Sequence, residues 1–364
     1  MRTHACAAVV AALLGTGCAS LVTRPVPDDL PPVPRREFRG LWVTTVGNTD
    51  WPSVPGLDAE AHRAELRVVF DRAAALGFNA VVLQVRSAGD AIYPSGLEPW
   101  ARVLTGRQGQ DPGWDPLAFA VAEAHARGLE LHAWFNPFRA GRVADSALLA
   151  PTHLWRARPD LARLAHGQLW FDPGEPEVRA HALRVIADVV TRYDIDGVHL
   201  DDYFYPYPTS AERPVGFPDD ASYARWLAGG GTPMARGDWR RQNVDRFVEA
   251  LFAEVRRVRP TVKVGISPFG IWRPGHPPGV KGLDAYADIY ADARQWLARG
   301  WVDYFAPQLY WPIASPGQPF VPLLAWWQGV NTSRVHLWPG LPGYRVGDGT
   351  ATGLPASEIG AQID

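Results

Sequence analysis

The feature that most constrains the fold is a repeated alternation of short β-branched or aromatic runs with longer helical patterns, beginning at Phe38. Residues 38–46, 79–86, 129–135, 197–202, 263–267, 302–309 and 336–341 read as strands. Stretches 58–76, 116–127, 176–193, 240–259, 286–299 and 320–329 read as helices, and another starts at Ala356. Asp58 stands where a helix cap belongs, and Gly77 and Gly128 stand just past helix ends, where a left-handed residue closes the last turn. Parallel neighbours need a crossover connection, so strict alternation predicts a parallel sheet. Seven such units with no GxGxxG after the first strand favour an α/β fold of the (β/α)8 TIM-barrel type over a doubly wound sheet. Only seven strands are found. The eighth β/α unit is therefore expected to be missing from a barrel domain at 37–364 that is truncated at its C-terminus, since an open barrel leaves two unpaired edges.

Ahead of the barrel, residues 1–18 have the form of a secretory signal peptide. Arg2 and His4 supply a positive start, Ala5 to Leu14 a short apolar stretch, and small residues surround Cys18. The apolar run is too short to span a bilayer as a permanent helix. Cys18 follows Gly-Thr-Gly as in a bacterial lipobox, although Gly15 stands where an aliphatic residue is usual. Cys18 is thus the candidate lipidation site, anchoring the protein to a membrane of the cell envelope. Ala19 and Ser20 carry no aspartate, which points to the periplasmic face of the outer membrane where the cell has one. Residues 19–36 include the proline-rich LVTRPVPDDLPPVPRR, a tether of about 3.1 Å per residue and roughly 50 Å of reach. Cys6 lies in the segment to be removed, so the mature chain has no disulfide and no thiol chemistry.

The balance of 36 basic and 38 acidic residues, without a basic block, argues against a nucleic-acid partner. The ten histidines form no HxH or HExxH spacing, so no metal and no cofactor are expected. His132 and His199 fall inside the barrel, where they read as hydrogen-bonded core residues. The 16 tryptophans outnumber the 14 phenylalanines, and flat indole faces suit the apolar faces of sugars, though large cores use them too.

In a barrel of this kind the chemistry sits on the loops after the strands. Those positions hold Asn48, Asp50 and Trp51; Arg86, Asp90, Tyr93 and Ser95; Asn136 and Arg139; Asp201, Asp202, Tyr203 and Tyr205. The last three strands contribute Ser267, Phe269 and Trp272; Gln308, Tyr310 and Trp311; and Trp338. Polar groups beside aromatics at nearly every strand end are what a carbohydrate site needs.

Five segments, FRGLWVTTVGNTDWPS (38–53), VRSAGDAIYPSGLEPW (85–100), LELHAWFNPFR (129–139), IDGVHLDDYFYP (195–206) and YFAPQLYW (304–311), closely resemble glycosyl-hydrolase-like family 10, a group of secreted bacterial barrel proteins. The resemblance implies a TIM-barrel glycosidase of the envelope with peptidoglycan glycan strands as the leading substrate. It carries the family's aspartate pair onto Asp201 and Asp202, and its second-loop aspartate onto Asp90.

Strand alternation puts His199 and Asp201 on the barrel interior and Val198, Leu200 and Asp202 on the other face. Asp202 reaches the site only if the chain bends there. Glycoside hydrolysis usually needs one acid and one base or nucleophile. The pair supplies one or both, with Asp90 as the best second carboxylate and Glu98 and Asp50 behind it. A structural reading, with an aspartate paired to Arg86 or Arg139, stands beside the catalytic one. IDGVHLDDY also resembles the DGxDxDxE signature of chitinase-type barrels, but Tyr203 stands where their acid belongs. Arg86, Tyr93, Asn136, Arg139, Tyr203, Tyr205, Trp272, Gln308, Tyr310 and Trp311 complete the site as expected substrate contacts. A non-catalytic glycan-binding protein on the same scaffold is the alternative.

Overall fold

The computed structural model describes residues 37–208, 216–350 and 352–364. The signal segment, Cys18 and the proline-rich tether lie outside the described residues. Phe38–Asp364 forms one compact unit.

In chain order the elements are β1 (Gly40–Val43), α1 (Ala59–Ala75), β2 (Ala80–Arg86), α2 (Arg102–Thr105), α3 (Pro116–His125), β3 (Glu130–Phe135) and β4 (Arg139–Arg142). There follow α4 (Leu154–Ala157), β5 (Ala162–Ala165), β6 (Gln168–Phe171), α5 (Pro176–Arg192), β7 (Gly197–Leu200), α6 (Asp220–Ala228) and α7 (Arg236–Val258). The last are β8 (Lys263–Ile266), α8 (Ala285–Asp288), α9 (Ala293–Arg299), β9 (Tyr304–Phe305), α10 (Phe320–Val330), β10 (His336–Leu337) and α11 (Ala356–Ile363). Seven strands form one sheet in the order β1-β2-β3-β7-β8-β9-β10, and every neighbouring pair is parallel. The expected α/β barrel architecture is therefore present with seven strands, and among the described residues β10 and β1 are not hydrogen-bonded to each other. The sheet nevertheless curls until its ends meet: Phe38, just before β1, stacks on Trp338, just after β10, with ring centroids 4.2 Å apart.

Local chemistry explains the elements. Asp58 accepts a hydrogen bond from the Ala61 amide at 2.8 Å and starts α1, and Asp115 does the same for α3 through Ala118 at 3.0 Å. Gly77 and Gly128 take φ of 79° and 69° past the helix ends, a region that costs other residues energy.

The barrel interior is filled by rings, and two glycines make room for them. A Cβ on Gly265 would stand 1.8 Å from the Tyr304 ring, and one on Gly197 would stand 2.4 Å from the His132 ring. The Tyr304 hydroxyl meets His132 Nδ1 at 2.8 Å and His199 Nδ1 at 2.9 Å. Trp42 Nε1, a donor only, points at His199 Nε2 from 3.2 Å. That leaves the proton on His199 Nδ1, so His199 donates to Tyr304, Tyr304 to His132, and His132 Nε2 to Glu130 at 3.0 Å. Burial holds His199 well below the ordinary histidine pKa, in keeping with a neutral ring.

Two features differ from expectation. The connection from β3 to α5 contains an antiparallel sheet in the order β4-β6-β5, whose tight hairpin turns on His166 and Gly167 with φ of 53° and 71°. Trp170 of β6 donates to the Phe204 carbonyl at 3.1 Å, which ties this sheet to the loop after β7. The helix expected over 286–299 is broken, because Tyr290 takes φ of 54° and Asp292 starts α9 as a new cap.

Candidate active site

β7 stops at Leu200, and the chain turns immediately, so Asp201 and Asp202 both sit at the barrel mouth. Asp201 faces the interior as alternation predicts. Its carboxylate accepts from Asn136 Nδ2 at 2.6 Å, from Trp134 Nε1 at 3.2 Å and from the Tyr203 amide at 3.1 Å. Asn136 is itself held. Gln84 Nε2 donates to its side-chain oxygen at 2.6 Å, which leaves the amide NH2 aimed at Asp201. Gln84 Oε1 in turn accepts from Thr44 Oγ1 and the amides of Thr45 and Val46.

Asp202 has fewer partners. Its carboxylate accepts from the Tyr207 hydroxyl and lies against the Gln308 amide, which also donates to the Ser267 carbonyl at 2.9 Å. Among the described residues no cation pairs with it. Burial and the adjacent Asp201 charge push its carboxyl up to about 7. Asp201 is also raised by burial, but Asn136, the nearby Arg139 guanidinium, the Tyr203 amide and Trp134 all pull it back. Of these two neighbouring carboxyls, Asp202 has the weaker support as an anion and is therefore the better placed to hold a proton near neutrality.

Around the pair stand half-buried aromatic rings: Trp134, Tyr203, Tyr207, Phe269, Tyr310 and Trp311. Tyr203 packs edge-on to Tyr207 at 5.4 Å, Tyr207 edge-on to Phe269 at 6.1 Å, and Phe269 edge-on to Trp311 at 5.7 Å. The Arg139 guanidinium lies 4.5 Å from the centre of the Tyr203 ring.

The other expected site residues divide. Asn136, Arg139, Tyr203, Gln308, Tyr310 and Trp311 are brought to the mouth. Asp90 is not joined to the pair: it accepts from Gln108 at 3.0 Å and from Ser87 at 3.3 Å, and shares no hydrogen-bond partner with either aspartate. It lies instead in an adjoining groove of about 640 Å3 that Arg139 also lines. Asn48 lines this groove too, whereas Asp50 accepts from the Thr44 amide and Trp51 is buried.

Four expected substrate contacts are core residues. Arg86 is buried, forks onto Glu98 at 2.8 and 2.5 Å, and donates to the Asn136 carbonyl, so it supports the site from below. Tyr93 is buried edge-on to Tyr193, and Tyr205 edge-on to Phe217 and Tyr290. Trp272 donates to Asp292 at 3.0 Å and stacks on Trp326. Arg86 is the last residue of β2, and the loops that carry the other three fold back onto the barrel wall.

Gln84, Trp134 and Tyr207 were not anticipated. Trp134 shares the inward phase of His132, and Gln84 is the polar residue in an otherwise apolar run, so both carried a readable signal. Among the described residues no three His, Cys, Asp or Glu side chains cluster as metal ligands, and His132 and His199 are both engaged by Tyr304.

The family description of glycosyl hydrolase-like 10 matches residues 37–353. The chain belongs to this family. Among curated relatives, glycosyl hydrolase YngK of Bacillus subtilis (strain 168) is 42% identical over 318 residues, 85% of this chain and 61% of that protein. This chain thus spans about three fifths of the length of that relative. Glycosyl hydrolase DigH of Escherichia coli (strain K12) is 34% identical over 93% of this chain and 82% of its own length. Among solved structures, the PgaB (BpsB) glycoside hydrolase domain from Bordetella bronchiseptica aligns over 82% of each chain with a TM-score of 0.53 and 14% identity, a likeness of fold. For a glycosyl hydrolase-like protein the implied substrate is a carbohydrate, and the aromatic-lined aspartate pair is the part of the family barrel that suits one. No described helix is long and apolar enough to cross a membrane.

Proposed function

We propose that this protein is an envelope glycoside hydrolase that cleaves glycosidic bonds in peptidoglycan glycan strands or a related N-acetylhexosamine polymer. One observation carries the reading: two adjacent buried carboxyls, one supported by Asn136, Trp134 and the Tyr203 amide and the other pushed up to about 7, within a ring of half-buried aromatics. Asp202 keeps its proton at neutral pH and gives it to the glycosidic oxygen as the bond to the anomeric carbon breaks. Asp201 stays ionised, facing the positive charge that develops on the sugar and guiding the group that attacks it. The rings stack on sugar faces while Asn136, Gln308 and Tyr310 hold hydroxyl or acetamido groups. Residues 1–18 serve as the signal, Cys18 carries the lipid, and 19–36 tether the barrel to the membrane.

The second reading, a glycan-binding protein without turnover, draws on the distance in the network between Asp90 and the pair. Mass spectrometry of soluble products from purified, peptide-stripped glycan strands separates the two. Fragments from the wild type, absent with the Asp201→Asn/Asp202→Asn variant, are expected. Strands bound and left intact by both forms would establish the binding protein instead.

A further inference from the structure

The groove beside the aspartate pair is lined by more arginines than acidic residues, and two of those arginines form no salt bridge among the described residues. Three arginines line it: Arg102 from α2, and Arg139 and Arg142 from the two ends of β4. Arg102 is partnered, with Asp145 at 3.4 Å. Arg142 is exposed and forms no ion pair among the described residues. Arg139 forms no salt bridge either, and its Nε is buried without a hydrogen-bond partner. A guanidinium edge shut away from water and left unbonded is costly unless something else bonds to it. The groove's other acidic residue, Asp90 on the loop after β2, is committed to Gln108 and Ser87 and disfavoured as an anion by burial.

The volume, about 640 Å3, is within the range of sites that hold small organic ligands, large enough for sugar rings. Polar side chains suited to hydroxyls, Asn48, Ser87, Gln108 and Gln168, share the wall. Arg139 also lies over Tyr203 and close enough to Asp201 to lower its pKa, so the groove opens directly beside the reacting pair. Planar guanidinium forks match carboxylates in geometry as well as charge.

We propose that this groove is a subsite for a sugar bearing a free carboxylate, read by Arg139 and Arg142, so that the preferred substrate is an anionic glycan rather than a neutral one. This rests on the glycan-directed reading of the aspartate pair. Two sources of that carboxylate share the chemistry: a lactyl ether on an amino sugar, as in glycan strands stripped of peptide, and a uronic acid.

The test is equilibrium binding by calorimetry with the full chain carrying Asp202→Asn, so that strands are not consumed. The probes are peptide-stripped peptidoglycan strands, the same strands with their carboxyls converted to methylamides, and polygalacturonate. Free-carboxyl strands are expected to bind about 10-fold or more tightly than the amidated ones, the scale of one charged hydrogen-bonded contact. Arg142→Ala, at an exposed position that leaves folding intact, should shrink that ratio to about 2-fold or less, and Arg139→Gln should shrink it as well. Tight binding of polygalacturonate would assign the carboxylate to a uronate, and weak binding to the lactyl group. Equal affinity for free and amidated strands would overturn the inference while leaving the glycosidase reading intact, as would a ratio unchanged in both arginine variants. Binding to none of the glycans would remove both.

Discussion

Glu98 and Asp202 are both buried carboxyls at the carboxyl-terminal end of the barrel, and their surroundings drive them in opposite directions. Glu98 receives a two-pronged contact from Arg86 and a third from His181 at 2.9 Å, and these hold it down to about 2 despite its burial. Asp202 has no cationic partner among the described residues and has a charged neighbour, and it is pushed up to about 7. Burial alone therefore does not mark a functional acid. What separates the two is whether the fold supplies compensating charge, and a fold that withholds it leaves a group able to trade a proton near neutral pH.

The largest expected effect breaks the comparison on the side of Asp202. Asp202→Asn should lower hydrolysis of peptide-stripped strands by about 10^2 to 10^4-fold, the usual worth of a general acid, with an unchanged circular dichroism spectrum. Next comes the Glu98 side. Glu98→Gln should cost about 3 to 5 kcal/mol of stability at pH 7 in urea unfolding, because it strands the buried Arg86 charge. A smaller effect has opposite signs in the two regions. The lowered pKa of Glu98 contributes stability that is present above about pH 4.5 and lost as the pH falls toward 2. The raised pKa of Asp202 favours the folded state at low pH, and that contribution is lost as the pH climbs from about 4 through 7. Asp202→Asn should therefore raise stability at pH 8 by roughly 1 to 3 kcal/mol and change it little at pH 4, measured by urea unfolding at both values. The finest test removes a partner that lowers the Asp202 pKa. Gln308→Leu should move the alkaline limb of the pH–rate profile upward by about half a unit.

The sequence made the strand order, the caps at Asp58 and the closing glycines readable, because these depend on spacing and local backbone chemistry. Asp201 was also readable, since alternation from His199 dictates its direction. Asp202 was readable from the family resemblance but not from alternation, because its entry depends on the strand stopping at Leu200. Arg86 at the end of β2, and Tyr93, Tyr205 and Trp272 after strand ends, looked like site residues, yet Arg86 is turned onto Glu98 and the burial of the other three depends on the path each loop takes back over the barrel. The β4-β6-β5 sheet was not read from the sequence, and with it went the groove that Arg139 and Arg142 line.

The most direct test of the contrast between the two carboxyls needs no substrate: a pH titration of side-chain carboxyl 13C shifts in the wild type and in Asp202→Asn. The expected result is one aspartate carboxyl that titrates near pH 7 and vanishes in the variant, with a glutamate signal that stays flat down to about pH 3. If every aspartate carboxyl titrated below pH 5, Asp202 would be an ordinary buried carboxylate, and the division between a structural Glu98 and a proton-trading Asp202 would fail.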